Sequence, residues 1–276
     1  MSVSAERIAV STWSLHRLLG ATYPHDLTTH DVGPMQETYG EGTESLLGLP
    51  SVLANHGYHR LEIVSFHLRS RDPIYLTELK DQLRIAKVRL QTLLIDAGDI
   101  SHPEHGERDM RWIAGWIETA NELGAEHARI IAGKQKPTRD ALDRSIKALT
   151  ALADSNSGSP LRLVTENWFD LLAEPAHVHY LLDKLDGRIG LLGDFGNWQG
   201  PEKYSDLRSI FGRAELCHAK ASFIDGDLDE ADFGACVRLA EEAGYKGPYT
   251  LIFDSEIPGE WQGLAQERDF ITSINL

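Results

Sequence analysis

Short apolar runs alternate with longer amphipathic stretches along the whole chain. Runs of four to eight apolar residues bounded by polar ones suit strands buried on both faces, and stretches with an apolar residue every three or four positions suit helices. The first strand falls at 8–11 (IAVS), and a helix over 46–56 is closed by Gly57 as C-cap. A strand at 59–64 then precedes a helix over 75–87, and a strand at 90–95 leads into Asp96. A helix over 107–123, closed by Gly124, precedes a strand at 128–133. Thr138 caps a helix running to Ala153, and the polar loop 154–160 leads to an apolar run ending on Glu166. A helix over 175–185 precedes a run ending on Asp194, and a short helix over 205–211 leads to a strand at 214–220. A helix over 229–243, closed by Gly244, is followed by a strand at 249–254 and a last helix over 261–274.

The pattern makes eight strand–helix units with no linker of the length or composition that separates domains. Strict alternation implies right-handed crossovers and a parallel sheet. Eight units in 276 residues give one (β/α)8 TIM barrel spanning 1–276 as a single domain. The rival is a doubly wound open sheet, which carries a glycine fingerprint after its first strand; here Ser11-Thr12-Trp13-Ser14-Leu15 stands in its place. Residues 20–46 are rich in Gly, Pro, Thr and His without a period. They form a long loop, assigned to the C-terminal face of the barrel.

Composition narrows the function. Apolar residues at 42% and charged residues at 25% are ordinary globular values, so the chain is expected to pack a core. No apolar run approaches the roughly 18 residues of a membrane helix, and no signal peptide is visible, so no membrane role is expected. Two cysteines, Cys217 and Cys236, cannot form a disulfide framework and fit a reducing cytoplasm. A formal net charge of −15, from 42 acids against 27 bases, repels phosphate backbones and argues against nucleic acid as a partner. A small molecule or a cation is the better expectation.

In a barrel of this kind, residues at the C-terminal ends of the strands converge on the active site. The last four strand ends offer Glu166, Asp194, His218 and Asp254, with Glu62, Asp96 and Lys134 on earlier strands. Three carboxylates and an imidazole suit a divalent cation of the Mn, Mg, Co or Zn type, with positions left open for substrate oxygens. Ile252, Asp254 and Glu256 share a face for as long as strand geometry lasts, which makes Asp254 the fourth ligand and Glu256 its competitor. Trp13 and Trp168 flank the mouth, where they can pack on a sugar face or on the rim. His67 is the best substrate-facing candidate among His16, His25, His30, His67, His102 and His105. Cys217 precedes a ligand histidine and faces the helices, an inert position. The acidic segment 225–229 imitates the start of a calcium loop but carries Glu230 and Cys236 where Gly and Glu belong, so it is assigned to a solvated loop.

The segments Leu163-Val164-Thr165-Glu166-Asn167, Asp194-Phe195-Gly196-Asn197 and His218-Ala219-Lys220 resemble the xylose-isomerase-like barrel superfamily. So do Ala120-Asn121-Glu122-Leu123-Gly124-Ala125, the 223–233 segment and Glu242-Ala243-Gly244-Tyr245-Lys246-Gly247-Pro248. That group holds sugar isomerases, ketose 3-epimerases, inosose dehydratases and endonuclease IV. The resemblance implies that Glu166, Asp194 and His218 ligate a divalent metal, Mn2+ first among the candidates. It also implies a small carbohydrate as substrate; barrels of this type often pair as homo-oligomers. Two positions depart from the family pattern. Ile252 stands where a ligand Glu is common, and Asn197 stands where His is common; Asn can hydrogen-bond a sugar hydroxyl but cannot shuttle a proton near neutral pH.

Such a site acidifies a C–H beside a sugar carbonyl and stabilises the enediolate that forms, the chemistry of an isomerase or epimerase. Glu166 would take the proton, Asp254 or Glu256 would return it, and Lys220 would hold a hydroxyl or charged substituent. The same intermediate can expel a neighbouring group, which would make the protein a lyase: a 3-keto-glycoside β-eliminase, a deglycosidase or an inosose-type dehydratase. A non-catalytic sugar-binding barrel is the third class.

Overall fold

A computed structural model of the protein describes residues 2–29 and 31–275, so the candidate His30 lies outside the described residues. Eight parallel strands close into a barrel: β1 (Ile8–Ser11), β2 (Arg60–Val64), β3 (Arg89–Ile95), β4 (His127–Ile130), β5 (Arg162–Glu166), β6 (Gly190–Asp194), β7 (Ala214–Lys220) and β8 (Tyr249–Ile252). Each strand pairs with its neighbours in sequence. The ring shuts where Ile8, Ala9 and Val10 of β1 lie against Tyr249, Thr250 and Leu251 of β8.

Alternation along each strand builds two cores. Val64, Leu94, Val164, Leu192 and Leu216 meet inside the barrel, with Trp13 and Phe66 over them. The intervening residues, Leu163, Leu191, Cys217 and Leu251 among them, pack outward against the helices in a much larger core. Cys217 is buried there, away from the mouth. One strand end needs a glycine for this layer: a Cβ at Gly193 would come within 2.7 Å of the Phe211 ring on the covering helix.

Helix boundaries follow capping chemistry. Thr138 caps Arg139–Ser155 through a 3.2 Å hydrogen bond from the Ala141 N–H, and Pro175 opens Pro175–Leu185 at a position where its missing N–H costs nothing. Gly124 closes Gly106–Leu123 in the left-handed region at φ 72°. Among the described residues no helix is long and apolar enough to cross a membrane.

Three features differ from the sequence reading. The eighth strand ends at Ile252, two residues early, so Asp254 and Glu256 lie beyond the alternation that was to place them on the Ile252 face. The fourth strand likewise stops at Ile130. Residues 223–228 form an antiparallel hairpin, Phe223–Ile224 against Asp227–Leu228, about an Asp225-Gly226 turn with both φ angles positive. That is the turn chemistry Asp-Gly favours, and Asp229 then caps the next helix through the Asp232 N–H.

The long loop after β1 lies over the β1–β2 side of the mouth. The Tyr23 N–H donates to the Phe66 carbonyl over 2.7 Å, and the His16 ring meets Tyr39 at 4.2 Å. His25 is a further anchor, half-buried. Its ring packs edge-on against Trp112 and Trp116, and its Nε2 lies 2.7 Å from Ser65 Oγ just past β2.

Candidate metal centre

Glu166 and Asp194 are the last residues of β5 and β6, and His218 stands on β7 directly opposite Asp194 in the sheet register. All three point into the barrel mouth because they continue the inward rows begun by Val164, Leu192 and Leu216. One ligand atom from each lies within 4.8 Å of the others, and all three side chains are buried.

Each donor is held by a specific neighbour. Asp194 Oδ1 accepts from the backbone N–H groups of Gly196 at 2.5 Å and Asn197 at 2.9 Å, which leaves Oδ2 turned toward His218 Nδ1 at 3.5 Å. The Asn167 side chain extends the pairing past β5: its Oδ1 accepts from the Asp194 N–H and its Nδ2 donates to the Asp194 carbonyl. Glu166 Oε1 accepts from Asn197 Nδ2 at 2.8 Å and lies 3.4 Å from His218 Nδ1. His218 Nε2 is occupied by Glu62 Oε2 at 2.9 Å, so Nδ1 is the nitrogen facing the two carboxylates.

Arg129 on β4 completes the cluster. Its Nε lies 3.1 Å from Glu166 Oε2, a terminal nitrogen pairs with Asp96, and its guanidinium sits 5.1 Å from the centre of the Trp168 ring. Burial works against the Glu166 carboxylate, but the Arg129 guanidinium and then His218 outweigh it and hold the carboxyl at about 2. His218 is raised well above the usual imidazole range. Burial opposes its charge, and Glu62 and Glu166 override that.

The donor chemistry fits a hard or borderline divalent ion. Two carboxylates and one imidazole converge; Asp194 Oδ1 and His218 Nε2 are each held by hydrogen bonds, while Glu166 Oε2 is ion-paired with Arg129 and makes no hydrogen bond. The cavity above them is lined by Trp13, Trp168, Asn197, Lys220 and Ile252.

The remaining sequence candidates are placed as follows. Asp254 is exposed, outside the three-residue cluster, with its Oδ2 2.9 Å from Lys220 Nζ at the rim. Glu256 is exposed two residues further on. Ile252, 5% exposed, fills the β8 side of the cavity. His67 turns away inside the 3-10 turn Ser65–His67: its Nδ1 lies 2.9 Å from Thr12 Oγ1, and burial pushes its pKa down to about 3. His102 and His105 stack on each other at 4.6 Å beside the helix they precede. Lys134 rests over the Phe169 ring at 5.1 Å. Sequence reasoning missed Arg129. The signal was available: in His127-Ala128-Arg129-Ile130 the arginine alternates with Ala128 and Ile130, which pack outward, so it takes an inward position.

The model of the family described as xylose isomerase-like TIM barrel matches residues 50–274. The chain belongs to that family. No curated protein matches the chain. Solved structures that share the fold include a xylose isomerase-like TIM barrel protein from Mycobacterium smegmatis in complex with magnesium, at TM-score 0.68 and 16% identity, with 98% of this chain and 99% of that one covered. D-allulose 3-epimerase from Methylomonas sp. aligns at TM-score 0.66 and 14% identity over 95% and 94% of the two chains. The 3-keto-D-glucoside 4-epimerase YcjR from E. coli, in its apo form, aligns at TM-score 0.65 and 15% identity over 82% and 95%. At these identities the likeness is one of fold. Family membership accounts for the barrel.

Proposed function

We propose that the protein is a divalent-metal-dependent isomerase or epimerase of a sugar or sugar derivative. The observation that carries this reading is the convergence of Glu166, Asp194 and His218 Nδ1 at the bottom of a cavity walled by two tryptophans. These three residues would hold the cation, Mn2+ first among the candidates, with Mg2+, Co2+ or Zn2+ as alternatives. Bound there, a divalent ion would polarise a substrate carbonyl and its neighbouring hydroxyl and acidify the C–H between them.

The protein's own groups supply the rest. Trp13 and Trp168 offer flat faces to the apolar side of a sugar ring, and Lys220 offers an ammonium to a hydroxyl or acidic substituent. Asn197 holds Glu166 in place and has no proton to exchange. Arg129 and His218 favour the ionised form of Glu166, so the carboxylate is available as a ligand and is the group that would take the substrate proton.

One observation favours a second reading. Ile252 gives the β8 side of the cavity an apolar surface, so an acid/base group there must come from the rim pair Lys220–Asp254. Lys220 on that wall would donate a hydrogen bond to a departing oxygen, which is what a lyase acting on a 3-keto-glycoside or an inosose needs. The experiment is incubation of ketoses and 3-keto-glycosides with the Mn2+-loaded protein in D2O. Deuterium uptake into a sugar of conserved skeleton supports isomerisation or epimerisation, and an unsaturated or cleaved product supports the lyase. Turnover unaffected by chelator and by Glu166→Gln refutes both.

A further inference from the structure

Glu62 lies on β2 beneath the candidate metal centre and is fully buried. Its two oxygens are divided between two tasks. Oε1 accepts from Gln91 Nε2 and Thr92 Oγ1, each at 2.9 Å, and Oε2 lies 2.9 Å from His218 Nε2. Gln91 Nε2 also donates to Thr250 Oγ1 at 2.9 Å, so one carboxylate ties β2, β3, β7 and β8 together. Gln91 and Thr92 are consecutive, and in a regular strand they would face opposite sides of the sheet. The β2–β3 register shifts between them: Leu61 pairs with Leu90 but Glu62 pairs with Thr92, which leaves Gln91 as an extra residue. This bulge turns both side chains onto the same carboxylate oxygen, the use of a bulge to re-aim a side chain beside a site.

We infer that Glu62 is a positioning residue for the metal centre, keeping a proton on His218 Nε2 and so presenting Nδ1 to the space between Glu166 and Asp194. The inference rests on the reading of those three residues as the cation's ligands. With Oε1 clamped by two donors, Glu62 cannot rotate away, and the imidazole cannot flip without leaving a buried carboxylate oxygen unpaired. Carboxylate–histidine–metal arrangements of this kind typically change metal affinity 10–100-fold when the outer partner is removed.

The test has two arms. In metal-free protein labelled with 15N-histidine, the His218 resonances (assigned with His218→Asn) should show a proton on Nε2, in a hydrogen bond that Glu62→Gln shifts. A neutral ring protonated on Nδ1 alone overturns the inference. In the second arm Mn2+ is titrated calorimetrically into wild type, Glu62→Gln and Thr92→Val. The Kd should rise about 10–100-fold in Glu62→Gln, and more modestly in Thr92→Val, which removes one clamp bond and leaves the carboxylate in place. A wild-type Kd in a folded Glu62→Gln variant overturns the inference, and Thr92→Val at the wild-type Kd does so where Glu62→Gln fails to fold. Failure of wild type to bind Mn2+ removes the metal reading itself, while the Nε2 proton still decides whether Glu62 orients the ring.

Discussion

Replacing Arg129 by Met should unmask how the mouth of the barrel balances its charge. The guanidinium is 2% exposed and shared between Asp96 and Glu166. Across the 3.1 Å to Glu166 the Coulomb attraction is about 5 kcal/mol at an effective dielectric of about 20. Part of that offsets the desolvation of the ions, but Arg129→Met leaves buried Glu166 and half-buried Asp96 without the guanidinium between them. Removing one partner of a buried pair costs about 3–5 kcal/mol. In a chain of this length each kcal/mol shifts Tm by about 2–4 °C, so metal-free Arg129→Met should melt roughly 6–20 °C lower than wild type. The cost comes from stranded charge rather than lost volume. Adding Asp96→Asn and Glu166→Gln to the variant should therefore recover much of the loss, and Mn2+ should stabilise Arg129→Met more than it stabilises wild type. Differential scanning calorimetry in chelator, then with Mn2+, reads both effects. A metal-free Tm within roughly 2 °C of wild type would show that the two carboxylates do not depend on the guanidinium.

Two further outcomes are expected. Asn197→Ala removes the 2.8 Å bond to Glu166 Oε1, a hydrogen bond to a charged group worth about 1.5–3 kcal/mol. It should weaken Mn2+ binding about 10-fold, and an unchanged Kd would show that Asn197 does not hold the ligand. His25 has its folded pKa pushed down from 6.5 to about 4, by burial first and Arg71 second. The unfolded chain then binds the proton more readily, so this contribution is complete above pH 6.5 and drains by up to about 3 kcal/mol as pH falls toward 4. His25→Gln should flatten that part of the acid loss in urea midpoints measured at pH 7.5 and 4.5, and a slope equal to that of wild type would sink the assignment.

Much of the barrel was legible because its signals are local. Apolar runs, Thr138 at a cap and Gly124 at a helix end each specify their neighbourhood, and Glu166, Asp194 and His218 are visible as polar residues ending inward rows. What stayed hidden depends on register and chain direction between elements. Asp254 shares a face with Ile252 only while the strand continues, and β8 stops at Ile252, so Asp254 turns to Lys220 at the rim. His67 follows β2 closely, but a 3-10 turn swings it back onto Thr12. Glu62 was visible as an inward acid, whereas its clamp arises from a slip of one residue between β2 and β3 that composition and period do not encode. The pairing of Arg129 with Asp96 and Glu166 joins three strands, and none of them alone shows it.

Glu166, Asp194 and His218 are proposed to hold one divalent cation. Calorimetric titration of Mn2+ into chelator-stripped wild type, Asp194→Asn and His218→Ala tests it most directly, with circular dichroism to establish that each variant is folded. One ion per chain is expected in wild type, and no measurable binding in either folded variant. Absence of binding in wild type, or the same Kd in all three proteins, would contradict it.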